Sequence, residues 1–454
     1  GSSLAQGPRF LNRHSDWPVL AWIAAVRKQY QRRRGWLNLC MDYFAVGGRP
    51  LLSRFPPYIP GGFNPILQER GSDVQGSLAS RPPEPSAPEN LAASSSARAP
   101  EDSGASVGGA TVATSVVDDE PQSQAVHTPL ALHTGFDPKE VRPWEPGRFE
   151  MVRKLQDATR NRGQVHLMRD ISEDRLVAVK QMPNRWIRSC HSDFVIEHPA
   201  ETEMPWQDVG CVQFLNSMGY PYACSLLGVY RDDQHTYVVT SFASEGDLFS
   251  WCEAGVAPGL EREVTVHPLA RQMVEGIQQL HDFSIVHRDL SLENILLSKL
   301  EDDSLRIRII DFSMASTSRR FRNCVRGKAS YQAPELHTDG EYDAFLTDVF
   351  SLGVTLYAVL FKDYPWLSTR PGGCKCFEYV RKHGFRSYLA KRKLRNSSAR
   401  VADVMSEPLK QLLEGMLALD PADRLTLGEQ SWGSTSGRRS VWDEPWMHGG
   451  PGTV

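Results

Sequence analysis

From residue 148 onward, apolar and polar positions alternate in short runs separated by turn residues. The stretches 148–155, 164–168 and 176–181 read as three strands, and 226–230 with 236–240 as an antiparallel pair around Asp232-Asp233. Pro205 sits where a first-turn proline would open a helix, and the pattern carries that helix to about Ser217. Beyond Asp247 the apolar period lengthens, predicting helices over 247–253, 267–283, 346–361, 377–383 and 407–419. Strands with one helix come first and many helices follow, so the pattern predicts an α+β chain.

The preceding residues have another texture. Residues 67–138 are rich in Ser, Ala, Pro, Gly and acids without an apolar period, which predicts a disordered linker. Residues 1–66 are mixed. Asp16-Trp17-Pro18 reads as a helix start, and the run to Arg34 passes from apolar (Val19, Leu20, Trp22, Ile23, Val26) to basic (Arg27, Lys28, Arg32, Arg33, Arg34). A basic amphipathic helix over 16–34 can dock on anionic lipid, on an acidic partner or on the chain's own folded domain as an autoinhibitory contact. The plainer reading, an isolated helix with a solvated basic end, is preferred.

Charge and cysteines narrow the picture. The 51 basic and 54 acidic residues cancel to a net −3, which points away from nucleic acid as a partner. No apolar run is read as reaching the roughly 18 residues of a membrane span. The 8 cysteines contain no C-x-x-C pair. Cys374-Lys375-Cys376 has no second pair or His cluster at zinc spacing, and reads as two surface thiols. Reduced cysteines and the lack of a signal peptide predict a cytoplasmic or nuclear protein.

The chemistry concentrates in Ser284-Ile-Val-His-Arg-Asp-Leu-Ser-Leu-Glu-Asn-Ile-Leu-Leu297 and its sequel Ile309-Ile-Asp-Phe-Ser313. Phosphoryl transfer from ATP needs a carboxylate at the acceptor hydroxyl, oxygen ligands for Mg²⁺ and cations on the phosphates. Asp289 suits the first task, Asn294 and Asp311 the second. Lys180, after four apolar residues of a strand, is costly to bury unless it is paired or liganded.

These segments resemble the H-R-D-x-x-x-x-N catalytic loop and D-F-G motif of eukaryotic protein kinases, of the Ser/Thr type. Leu176-Val-Ala-Val-Lys180 resembles their V-A-I-K strand, Asp348-Val-Phe-Ser-Leu-Gly353 the D-V-W-S-x-G helix start, and Gly327-Lys-Ala-Ser-Tyr-Gln-Ala-Pro-Glu335 the G-T-x-x-Y-x-A-P-E segment. The resemblance covers about 148 to 427, more weakly to 447. It implies a two-lobed fold, with a small antiparallel-sheet lobe over 148–240 carrying one helix, a hinge at 241–246, a larger mainly helical lobe over 247–432 and a tail at 433–454. The implied function is γ-phosphoryl transfer from ATP to Ser/Thr of protein substrates in signalling; the alternative is a pseudokinase scaffold. By the same resemblance Asp289 is the catalytic carboxylate, Lys180 holds the α- and β-phosphates, and Asn294 and Asp311 hold Mg²⁺. Gly163 covers the phosphates. The adenine slot takes Val165, Ala178, Thr240, Phe242 and Leu296, with Asp247 near the ribose. Arg288 implies pairing with an activation-loop phosphate on Ser316, Thr317 or Ser318. Asp348 anchors the catalytic-loop backbone, and Glu335 pairs with Arg424.

The departures from the family pattern carry expectations of their own. In G-x-G-x-x-G-x-V, Ala158 and Arg160 stand at the first two glycines and only Gly163 remains, so Arg160 or Arg162 is expected to supply phosphate contact that bare backbone cannot. The helix opened by Pro205 offers Asp208 where a Glu is usual, as partner for Lys180. Ser291 replaces the lysine two residues after the catalytic Asp, and Lys328 replaces the threonine expected to face it. Lys328 is therefore expected to restore the missing charge.

Overall fold

A computed structural model describes residues 135–432 and 437–449; the predicted helix at 16–34 and nearly all of the 67–138 linker lie outside them. The alternating stretches build one six-stranded sheet from β1 (Arg142–Pro143), β2 (Phe149–Ala158), β3 (Gly163–Asp170), β4 (Arg175–Pro183), β5 (Leu226–Arg231) and β6 (His235–Ser241). Its order is β1-β5-β6-β4-β3-β2. Every pairing is antiparallel except that of β1, which lies parallel to β5. The period of two decides what β4 does. Val177 and Val179 are wholly buried in a cluster with Phe149, Met168, Tyr230, Tyr237 and Val239, which turns Ala178 and Lys180 to the opposite face.

Three helices follow β4 before the next strand. α1 (Asn184–Ile187) and α2 (His191–Glu197) have no counterpart in the sequence reading. Both are too short to show a helical period, and they owe their place to tertiary burial of Trp186 and Phe194, whose rings meet edge-on at 5.2 Å. α3 (Pro205–Ser217) is the predicted helix, begun by its proline and anchored by the buried Trp206 and Val209 against Met182, Val229 and Val238.

The second lobe is helical: α4 (Leu248–Glu253), α5 (Leu260–Asp282), α6 (Ala344–Phe361), α7 (Lys375–His383), α8 (Phe385–Lys391), α9 (Val401–Val404), α10 (Glu407–Met416) and α11 (Pro445–Gly449). α5 starts well before the predicted residue 267. Pro268 removes an N–H that would reach back to Val264, and Val264 is on the solvent side, so the helix passes through. α6 corrects another expectation: it is long and apolar enough, by length and composition, to cross a membrane. Its apolar content is explained by burial, because all its residues but Ser351 are buried inside this lobe.

The hairpin of β7 (Ile295–Lys299) and β8 (Leu305–Ile309) pairs Ile295 with Ile309. That register sets the end of the 284–294 loop beside the start of the Asp311 motif. A two-stranded pair, β9 (Arg320–Arg322) with β10 (Glu341–Asp343), orders the segment between Asp311 and α6. The chain thus has the two-lobed α+β architecture, a sheet lobe with α3 and a helical lobe.

Candidate active site

The loop before β7 is fixed from below by one buried carboxylate. Asp348, in the second turn of α6, accepts from the backbone N–H of His287 at 2.7 Å and of Arg288 at 2.9 Å. His281, at the end of α5, sits between Asp348 at 3.2 Å and Glu429 at 2.7 Å and stacks on Phe345 at 4.1 Å. Burial works against its charge, but the two carboxylates win and push its pKa up to about 9. The expected anchoring role of Asp348 is in place. His281 and Glu429 went unnoticed in the sequence, and no local motif marks them.

This frame presents Asp289. Asn294 donates from Nδ2 to the Asp289 backbone carbonyl at 2.8 Å and to Oδ2 at 3.3 Å. Oδ1 of Asp289 is buried with no hydrogen-bond partner in the protein. Burial raises the carboxyl above its ordinary range, opposed by Lys328 and helped by Asp311. A buried acceptor without a donor carries a desolvation cost, so the site is shaped to receive a donor such as a hydroxyl.

Lys328 reaches the position foreseen for it. Its Nζ is 2.5 Å from Ser291 Oγ and 3.3 Å from Glu293 Oε2. Ser291 is wholly buried, and the lysine stands beside it with its charge acting on both Asp289 and Asp311. Gly327 makes the approach possible: its φ is +81°, and a Cβ there would come within 2.8 Å of the Arg288 carbonyl.

Asp311 stands in the left-handed region (φ 67°, ψ 67°) and accepts from Ser313 Oγ at 2.6 Å. Ser313, where the family pattern has glycine, therefore adds a donor. Burial opposes ionisation of Asp311, but Lys180, the Ser313 hydroxyl, His287 and Lys328 together hold its carboxyl below the usual range. Phe312 is buried 5.2 Å from the His287 ring, and its N–H donates to Asp208 Oδ1 at 2.8 Å.

The other oxygen of Asp208 is 3.4 Å from Lys180 Nζ. Burial lowers the Lys180 pKa, yet the carboxylates of Asp208, Asp311 and Glu203 outweigh it and the net shift is upward. Lys180 pairs in register with Val165 on β3, and Ala178 with Thr240 on β6. Phe242 is half-buried just past β6, and Asp247 bridges to Leu296 while its carboxylate caps α4 at Ser250 N, 2.6 Å away. Val165, Ala178, Lys180 and Thr240 thus lie on three adjacent strands of the sheet, and Asp247 joins Leu296 on β7.

The two arginines of the β2–β3 turn part company. Arg162 lies over the Trp186 ring at 4.9 Å, away from the site. Arg160 forms an ion pair with Glu203, which is 4% exposed, and its charge is felt by Asp289 and Asp311. Glu203 is a site residue that the sequence reading left aside as lying ahead of the helix. Gly163 is required by packing, since a Cβ would sit 2.1 Å from the Gln181 carbonyl.

Arg288 is drawn to the segment that follows the Asp311 motif. It donates to Cys324 Sγ at 3.0 Å and to the Met314 carbonyl at 3.4 Å, and covers the Phe321 ring at 4.1 Å. Arg424 holds Glu335 through two bonds of 2.5 and 3.0 Å, as expected.

Residues 161–435 match the family model described as the protein kinase domain. The chain belongs to the protein kinase family. Curated relatives include "Protein kinase kin1" of Schizosaccharomyces pombe, 29% identical over 50% of this chain and 22% of that protein. "Probable serine/threonine-protein kinase fhkD" of Dictyostelium discoideum is 31% identical over 47% of this chain and 29% of its own length. "Serine/threonine-protein kinase SIK3 homolog" of Danio rerio is 30% identical over 48% of this chain and 16% of its length. The chain therefore covers less than a third of each of these relatives. A kinase domain takes ATP as its phosphoryl donor and a protein as acceptor.

No group of three or more His, Cys, Asp or Glu suited to a metal occurs among the described residues. Mg²⁺ needs no such cage. A carboxylate and an amide carbonyl, completed by phosphate oxygens and water, make a fitting donor set. With Asn294 turning its N–H groups to Asp289, its carbonyl oxygen is left for that purpose, and ionised Asp311 would be the second donor. The donor set fits the ion.

Proposed function

We propose that this kinase domain is an active ATP- and Mg²⁺-dependent protein Ser/Thr kinase in signalling. The observation that carries the reading is the Lys328 ammonium beside Ser291, next to a buried Asp289 oxygen with no donor. Asp289 receives the Ser/Thr hydroxyl and takes its proton as the oxygen attacks. Lys328 supplies positive charge toward the transferring phosphoryl group that Ser291 does not. Lys180 orients the nucleotide's inner phosphates. Asn294 and Asp311 hold Mg²⁺, which when bound neutralises charge on the phosphates. The Ser/Thr-kinase names of two relatives support the acceptor class. We also propose the division into lobes at 148–240 and 247–432 about a hinge at 241–246, with the segments 1–66, 67–138 and 433–454 outside them.

A second reading, a pseudokinase scaffold, is favoured by one observation: Arg160 closes over the cleft onto Glu203 where a glycine would leave room for phosphate. Transfer of labelled γ-phosphate to the chain and to generic protein substrates separates the two. Active kinase predicts a loss of about 10³-fold in kcat for Asp289→Asn and about 10²-fold for Lys328→Ala. Full transfer by Lys328→Ala removes the role given to that lysine, and no transfer by the wild type leaves the scaffold.

A further inference from the structure

The pair Cys374 and Cys376 lies outside the catalytic cleft and takes no part in the proposed chemistry. Both are half-exposed thiols at the start of α7, Cys374 as its N-cap and Cys376 in its first turn. The two thiols are only two residues apart, and the neighbouring Cys376 thiol favours the Cys374 thiolate. Cys374 Sγ also accepts from the Leu367 N–H at 3.5 Å, and Arg392 Nη1 donates to Cys376 Sγ at 3.7 Å. The Cys376 thiol, together with backbone N–H groups of Leu367, Phe377 and Cys376, holds the Cys374 thiol down at about 5, although burial opposes this. Cys374 is thus a thiolate at neutral pH, the reactive form of cysteine, with a second thiol two residues away.

Each sulfur is tied to the segment that follows Lys328. On one side Leu367, whose N–H bonds Cys374, accepts through its carbonyl from Ser330 Oγ at 3.1 Å. On the other, Arg392 binds Asp363 at 2.6 Å and the Tyr364 carbonyl at 3.4 Å. The Tyr364 hydroxyl meets that of Tyr331 at 2.9 Å, and Tyr331 in turn accepts from the Leu292 N–H of the catalytic loop at 3.2 Å. Two separate hydrogen-bond paths therefore run from the thiol pair to residues 330 and 331.

We propose that Cys374 and Cys376 form a peroxide-sensitive dithiol whose oxidation to a disulfide loosens the 328–332 segment and so weakens phosphotransfer to protein substrates. The Cys374 thiolate attacks one oxygen of hydrogen peroxide; the O–O bond breaks, and hydroxide leaves and takes up a proton as water. The resulting sulfenic acid is attacked by Cys376 sulfur. The S–S bond forms, the S–OH bond breaks and a second water departs with the Cys376 proton. Two thiols and one peroxide give one disulfide and two waters. The disulfide carries no anionic sulfur, so the Leu367 N–H loses its charged acceptor and Arg392 its thiol. The effect on phosphotransfer rests on the proposed kinase activity; the oxidation itself does not.

The test exposes the full chain to equimolar hydrogen peroxide at pH 7 and maps alkylated peptides by mass. Wild type is expected to lose two hydrogens in one peptide containing both cysteines. Cys376→Ser is expected to stop at a dimedone-trappable sulfenic acid on residue 374. Cys374→Ser is expected to react at least about tenfold more slowly. Equal rates in wild type and Cys374→Ser, or a disulfide mapped to other cysteines, overturn the site. Hydrogen exchange at residues 328–332 reads the coupling without any need for activity: it should rise on oxidation of wild type and stay constant in Cys374→Ser. Unchanged exchange in the oxidised wild type overturns the coupling. Where reduced wild type transfers phosphate, the protein-substrate KM should rise several-fold on oxidation and fall back with dithiothreitol. A reduced chain without transfer counts against the kinase reading, while mass and exchange still decide the dithiol.

Discussion

The two sides of the cleft hold their functional groups in different ways. On the helical side, Asp348 spends both carboxylate oxygens on backbone N–H groups of the catalytic loop and is braced by His281 and Glu429, all of them wholly or almost wholly buried. On the sheet side, Lys180 meets Asp208 at 3.4 Å with both side chains partly open to solvent, and Arg160 reaches Glu203 from a turn whose arginine is 55% exposed. Interactions with backbone in a dry interior leave few alternative arrangements. Side-chain pairs across a solvent-facing gap are weaker and exchange partners at small cost. The placement of Asp289 is thus built into the helical lobe, whereas the pairs on the sheet side are adjustable.

That contrast is testable, and the largest effect belongs to the helical side. Asp348→Ala takes the acceptor from two loop N–H groups and leaves the buried imidazolium with Glu429 alone. It should destabilise the domain by about 3–5 kcal/mol, read by urea denaturation. A change below about 1 kcal/mol would contradict the picture of a braced loop.

The pH dependence comes next. His281 has its pKa raised from 6.5 to about 9 in the folded chain. Its stabilisation is therefore fully present below pH 6.5 and is lost as pH climbs through about 9, by on the order of 3 kcal/mol in total. Denaturant midpoints from pH 6 to 10 should fall along that course. Glu429→Gln, with one carboxylate fewer at the ring, should make the fall smaller and move it to lower pH.

On the sheet side, Asp208→Ala is expected to raise the KM for Mg-ATP about tenfold, with a stability loss of about 1–3 kcal/mol because the buried Phe312 N–H loses its acceptor. Steady-state kinetics beside thermal denaturation checks both halves, and a stability loss like that of Asp348→Ala would erase the distinction. The smallest effect is expected from Glu203→Gln. Releasing Arg160 should tighten Mg-ATP binding by about threefold, and Arg160→Ala should weaken it. Equal shifts in the two variants, measured by titration calorimetry, would leave Arg160 as a structural partner only.

Much of the site could be read before folding. The strand periods and the spacing of Asp289, Asn294 and Asp311 lie in short stretches where side-chain type and interval suffice, and two separate motifs 37 residues apart each show one half of the Ser291–Lys328 exchange. What escaped depends on contacts between distant segments. Glu203 has no motif, and becomes a site residue only because the β2–β3 turn folds down onto it. Cys324 meets Arg288 across 36 residues, and Glu429 meets His281 across 148. α1 and α2 are too short to register as periodic, and Pro268 hid the first turns of α5.

By itself the sequence determined the α+β order of elements and the kinase resemblance, and it marked the residues expected to receive a hydroxyl, hold a metal or carry charge to phosphate. Periodicity and motif spacing are local properties, and local properties survive in one dimension. Only the tertiary structure decided which of two arginines enters the cleft, that Lys328 stands at Ser291, and that the Cys374–Cys376 pair is tied to the segment after Lys328. Those outcomes depend on burial and on partners many residues away, and neither exists until the chain has folded.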